Sequence, residues 1–214
     1  MKGNPLRTIA LLSCLLLAPL PAFADTHVFD YDYLDVGHLR SQPDGGPSGS
    51  GTYADLSYSF LDDVQLRASY ASLSFPQGVS YKDYSLGIAG ESAINAQTDV
   101  YTDLLYLNDR YDYLGHSITD DGYRLAVGVR HHPYKLDWLE VDGWLAHNWL
   151  SANTYPAAGS PQAFLPRSSS EIGAGVLFQP LHWLSFGLGY AHAFNSGNTT
   201  SLRVRFYFGG LGSF

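Results

Sequence analysis

Charged side chains at alternate positions and a scatter of histidines are the groups in this 214-residue chain that could do chemistry. Asp55, Arg67, Asp99, Asp103, Arg124, Arg130, Glu140, Asp142, Glu171, Arg203 and Arg205 all occupy the polar phase of strand-like runs. Five guanidiniums against six carboxylates suit an interior salt-bridge network. A less balanced set would suit an ion-selective passage or a substrate site. Arg130 and Glu140 flank one short turn and are expected to face each other across it. The eight histidines include no pair at helical i, i+4 spacing and none beside a cysteine, so they do not form a zinc pattern. His131, His132 and His182 fall in turns and His116 in a loop, where solvated side chains are expected. Ser69 and Ser185, with His147 or His192, could be drafted as nucleophile and base. No nucleophile elbow, His-x-Ser motif or paired aspartates accompany them. His192 has the parity of an apolar face near a strand end, which suits an interfacial residue. Neither an enzyme nor a metal or cofactor site is expected.

Short alternating segments must position these charges. The sixth run is the cleanest, with Tyr123, Leu125, Val127 and Val129 against Arg124, Ala126, Gly128 and Arg130. The closing run sets Leu202, Val204, Phe206 and Phe208 against Arg203, Arg205 and Tyr207. A period of two is the signature of a strand with unlike faces. About ten such runs follow one another, beginning with His27–Gly37, where Phe29, Tyr31 and Tyr33 oppose Asp30 and Asp32. The connections run long, short, short, medium, long, short, longest, short, short. The medium one is 90–97, and Asp109–Asp121 and Ser151–Ser169 are expected to be long loops. All the long connections are odd-numbered, so they share one end, as in an antiparallel up-and-down barrel. Ten strands are expected, with eight plus an outlying hairpin as the alternative.

The surroundings of the barrel follow from its faces and from the N-terminus. Lys2 and Arg7, the apolar stretch Ile9–Leu17 and the small-x-small site Ala22-Phe23-Ala24 read as a cleavable secretory leader, residues 1–24. Its removal takes the only cysteine and leaves ten basic against twenty acidic residues over 25–214, a balance that argues against nucleic acid. No later segment approaches the roughly 20 apolar residues of a membrane helix. Tyr58, Phe60, Tyr70, Tyr84, Tyr106, Tyr123, Phe178 and Tyr190 lie near the ends of the apolar faces, where a barrel in a bilayer carries its aromatic girdles. Slipping the sixth run by one residue would aim Arg124 and Arg130 at lipid, at about 2–4 kcal/mol each.

Together the leader, the period-two runs and the ending Leu202–Phe208 resemble the small bacterial outer-membrane β-barrel proteins of the OmpA/OmpX/OmpW kind. The resemblance covers the mature chain and is architectural. It implies an all-β transmembrane barrel in the outer membrane of a Gram-negative envelope, in contact with lipid and lipopolysaccharide. It also implies an assembly signal read by the barrel-assembly machinery at Phe206 and Phe208 or at Phe214, since Gly209–Phe214 extends past the usual aromatic ending. The expected role is structural or interactive, borne by surface loops holding Tyr111, Tyr113, Tyr155 and Phe164. The alternatives are a narrow porin-like channel for small solutes and, third, a lipid-modifying barrel enzyme.

Overall fold

The computed structural model describes residues 29–113, 115–151, 168–194 and 196–208. The expected leader, most of the longest connection and Phe214 lie outside them. Ten strands form the wall: β1 Tyr33–Gln42, β2 Gly49–Leu61, β3 Val64–Phe75, β4 Val79–Asn95, β5 Thr98–Tyr113, β6 His116–His131, β7 Leu139–Ser151, β8 Ser169–Leu181, β9 Leu184–Ala193 and β10 Gly197–Tyr207. Each pairs antiparallel with its chain neighbours, and β1 closes on β10 with Tyr33 opposite Tyr207. Closure leaves no unpaired strand edge, which a wall within hydrocarbon requires. All ten runs enter the wall, so the alternative of eight with an outlying hairpin is not adopted.

Burial is inverted relative to a water-soluble protein. Glu140 is 2% exposed and Asp99 fully buried, whereas Leu145 and Leu202 are 61% and 60% exposed on the outside. Ions are expensive to bury and apolar side chains are expensive to leave in water, so this wall makes sense only with lipid around it. The chain is therefore an outer-membrane-type β-barrel with an apolar outer face and a polar lumen. No helix among the described residues is long and apolar enough to cross a membrane.

Two aromatic belts bound the apolar band. At the loop end, Tyr70 lies against Tyr84 at 4.9 Å, Tyr106 against Tyr123 at 5.8 Å, and His147 against Trp149 at 4.5 Å, with Tyr190 and His192 completing the ring. At the tight-turn end, Tyr58, Phe60, Trp138, Phe178, Trp183 and Phe206 face outward. Inside, three large rings lie over cross-strand glycines: Tyr53 over Gly37, Tyr101 over Gly128 and Trp144 over Gly173. A Cβ at any of these glycines would strike the ring, so the glycines let the aromatics lie flat along the lumen wall.

Three local expectations are corrected. Residues 90–97 are mostly strand, with β4 running to Asn95 and turning in two residues. The expected loop Asp109–Asp121 is the far half of the β5–β6 hairpin, which turns at Gly115 with φ +81°. Beyond the loop-end belt both faces of a strand meet polar surroundings, so its apolar phase disappears while its pairing continues. Finally, Phe29, Tyr31 and Tyr33 point inward, all under 8% exposed, and the strand proper begins only at Tyr33.

Candidate functional site

The lumen holds a polar cavity of about 400 Å³ that begins above Tyr31 and runs to Leu39, Asp109 and Thr199 at the loop end. The strand register places all eleven charges singled out in the sequence on its wall or among its buried polar groups. They fall into layers.

At the tight-turn end the segment before β1 enters the lumen. Phe29 stacks on His132 at 4.4 Å and 8°, and the His132 ring nitrogen Nδ1 meets the Leu139 carbonyl at 2.9 Å. His132 is thus a buried packing residue, unlike the solvated turn side chain its neighbours suggested; His131 remains exposed. The Arg130 guanidinium lies 4.6 Å from the Phe29 ring and 4.5 Å from the Tyr31 ring, and the Tyr31 hydroxyl donates to Asp99 at 3.3 Å. The segment is tied to the last strand where the Phe208 amide donates to the Asp32 carbonyl at 2.9 Å.

Immediately above, six charges alternate in one chain. Arg130 binds Glu140 through two nitrogens at 2.9 and 2.8 Å. Glu140 lies 3.6 Å from Arg205, which reaches Asp35 at 3.1 Å; Asp35 is 4.0 Å from Arg203, which donates to Asp142 at 2.7 Å. Room for Arg203 comes from Gly175 and Gly187, where any side chain would press on its guanidinium. Tyr33 lies beneath the Arg205 guanidinium at 4.1 Å, and Tyr53 donates to Asp35 at 3.1 Å. Two smaller groups sit beside this chain: Arg67 between Asp55 (2.7 Å) and Asp103 (3.4 Å), and Arg124 on Glu171 (2.8 Å), which also accepts from the Trp144 indole at 2.7 Å.

Sequence reasoning missed four inward carboxylates, Asp35, Asp83, Glu91 and Asp109. Asp35 follows Tyr33 by two residues and shares its inward parity; reading the Tyr33 face as apolar hid it. Asp83 sits opposite Asp109 across β4 and β5. Their inclusion tips the near balance of sign to a clear excess of carboxylates over the five arginines among the described lumen residues.

Other candidate groups lie elsewhere. Ser69 hydrogen-bonds Ser85 at 2.6 Å inside the lumen, and Ser185 packs with Tyr207 at the tight-turn end. His147 meets Ser170 at 2.9 Å and His192 meets Asn198 at 2.7 Å, both pairs on the outer face at the loop-end belt. The structure does not bring Ser69 or Ser185 to His147 or His192, and no described carboxylate bonds His147. Beyond the belt, at the tip of β5, a Ser117 hydrogen bond and then Arg110 hold the Asp112 carboxyl below its usual range. Of the assembly-signal residues, Phe206 faces outward from β10, Phe208 follows its end, and Phe214 lies outside the described residues.

No family model and no curated protein matches the chain. Solved barrels do. The NanC porin matches at 12% identity over 82% of this chain and 100% of that one, TM-score 0.45. The KdgM porin matches at 9% over 81% and 99%, TM-score 0.43. Ail, the attachment invasion locus protein of Yersinia pestis, matches at 16% over 84% and 100%, TM-score 0.38. The barrel assignment rests on the closed register and the inverted burial.

Proposed function

We propose that this chain is a non-enzymatic, integral outer-membrane barrel whose lumen is sealed at the tight-turn end, so that its work is done at the loop end through contact with surface partners. The closure of the tight-turn end carries this reading: Phe29 and Tyr31 are drawn under Arg130, which is itself held by Glu140. An alternating chain of buried ions satisfies itself and leaves no mobile charge in its layer. Small barrels fill their lumens with side chains in this way. Lipid around the outer face, insertion by the barrel-assembly machinery and a leader-directed route are part of the same proposal.

Planar-bilayer recording tests it. The mature protein should give no stable unitary conductance, and Phe29→Ala with Tyr31→Ala should raise conducting events. Stable openings from the unaltered protein, changed in size by Arg130→Ala or Glu140→Ala, would refute the seal. They would support the second reading, a narrow channel for small solutes, which the 400 Å³ polar cavity favours. The third reading, lipid modification, has the outward His147–Ser170 pair as its best candidate. Among the described residues no carboxylate is bound to that pair to orient the imidazole, an element of the usual triad. Unchanged lipid A in cells overproducing the protein would remove this reading.

A further inference from the structure

Each of the five lumen arginines is taken by a carboxylate: Arg67 by Asp55 and Asp103, Arg124 by Glu171, Arg130 by Glu140, and Arg203 and Arg205 by Asp142, Asp35 and Glu140. Asp83 and Asp109 lie outside these pairs, as do Glu91 and Asp99, the latter accepting from the Tyr31 hydroxyl. Asp83 and Asp109 stand directly opposite one another across β4 and β5, an arrangement that like charges ordinarily destabilise. The Asp83 oxygen Oδ1 is shut off from solvent and has no hydrogen-bond partner, although both residues line the cavity. Nearby, the Tyr81 and Tyr111 rings lie 4.7 Å apart, and the Tyr81 hydroxyl donates to Asp109 at 3.0 Å.

We infer that the loop-end half of the lumen binds an organic ammonium ion, held between the carboxylates of Asp83 and Asp109 and against the ring of Tyr81, which Tyr111 backs. The chemistry matches feature by feature. Asp83 Oδ1 is a buried acceptor lacking a donor, which an N–H supplies. The Tyr81 ring face attracts a cation. The cavity has the volume of a small-molecule pocket. The lumen as a whole carries an excess of carboxylates, which draws cations inward.

The other groups facing the pair are Tyr81 on β4, Tyr111 on β5, and Asp120 and Arg124 on β6, with Arg124 already committed to Glu171. Lys82 and Arg110, adjacent in sequence, project from the opposite face of the sheet. The inference does not depend on the seal at the tight-turn end: conductance tests the seal, and cation binding tests this site.

Calorimetric titration of the mature protein in detergent micelles with 1,4-diaminobutane is the test. Saturable binding is expected, absent with 1,4-butanediol and with succinate, and weakening as sodium chloride is raised. Asp83→Asn and Asp109→Asn should each weaken it about tenfold or more. Heat-modifiable migration on a gel shows whether the variants are folded. If they are not, the isostere and salt comparisons on the unaltered protein decide. No saturable diamine heat, equal heats for the diamine and the diol, or undiminished affinity in folded Asn variants would overturn the inference. So would magnesium chloride competing at equal concentration, which would assign the pair to an inorganic cation.

Discussion

Replacing Glu140 with alanine isolates the joint on which the tight-turn seal depends. Glu140 is 2% exposed and receives Arg130 through two nitrogens at 2.9 and 2.8 Å, with Arg205 at 3.6 Å. Its removal strands two buried cations unequally. Arg205 keeps Asp35 at 3.1 Å, whereas Arg130 loses both hydrogen bonds to a carboxylate and keeps the ring faces of Phe29 and Tyr31, the Asp30 carbonyl at 3.5 Å and Asp99 opposite it on β5. Breaking a buried pair from one side costs about 3–5 kcal/mol, and the surviving cation–π contacts offset about 1–2 kcal/mol only if they were not already present. They are present, so a loss of that order is expected, with Asp99 opposite Arg130 setting it toward the lower end. Exchanging both partners, Arg130→Met with Glu140→Leu, removes the stranded charge and should recover most of the loss. The residue not recovered reflects Arg205, which also loses a neighbour. Urea unfolding from lipid vesicles, followed by fluorescence of the four tryptophans, measures Glu140→Ala, the double variant and its two single components. A loss below about 1 kcal/mol in Glu140→Ala, or a double variant as unstable as the two single changes added together, would refute the claim that this pair is a buried, mutually dependent joint.

Three further outcomes follow from the wall. Leu188→Arg places a charge on a 56% exposed outward position in the middle of β9 and should lower stability by about 2–4 kcal/mol in a bilayer; an unaffected unfolding curve would count against lipid contact there. Gly128→Val drives a side chain into the Tyr101 ring and should reduce stability by about 1–3 kcal/mol, with Tyr101→Ala in the same chain restoring part of it by unfolding titration. In a Gram-negative cell the mature protein should fractionate with the outer membrane and migrate differently with and without boiling; soluble periplasmic recovery would sink the proposed location.

How much of this was legible in the sequence depends on where each residue sits along the barrel axis. Within the apolar band, outward side chains meet lipid and inward ones meet ions, so alternation is sharp. Leu125, Val127 and Val129 against Arg124 and Arg130 disclose strand, face and partner together, and even the Arg130–Glu140 contact follows from a turn of known position. At the tight-turn end the rule reverses for a few residues. Phe29, Tyr31 and Tyr33 are inward because they fill the lumen, and that inversion concealed Asp35 behind them. Above the loop-end belt the alternation vanishes: Asn108, Arg110 and Asp112 face out while Asp109 and Tyr111 face in, and polarity no longer distinguishes the two sides. Only cross-strand register assigns them, and register is a property of paired chains. The Asp83–Asp109 pair lies in that upper zone, where two carboxylates become a site only once β4 and β5 are laid side by side. A sequence read strand by strand therefore exposes most of the self-neutralised network, whose members alternate with apolar residues, and hides an inward carboxylate pair that the arginines of that network do not take up.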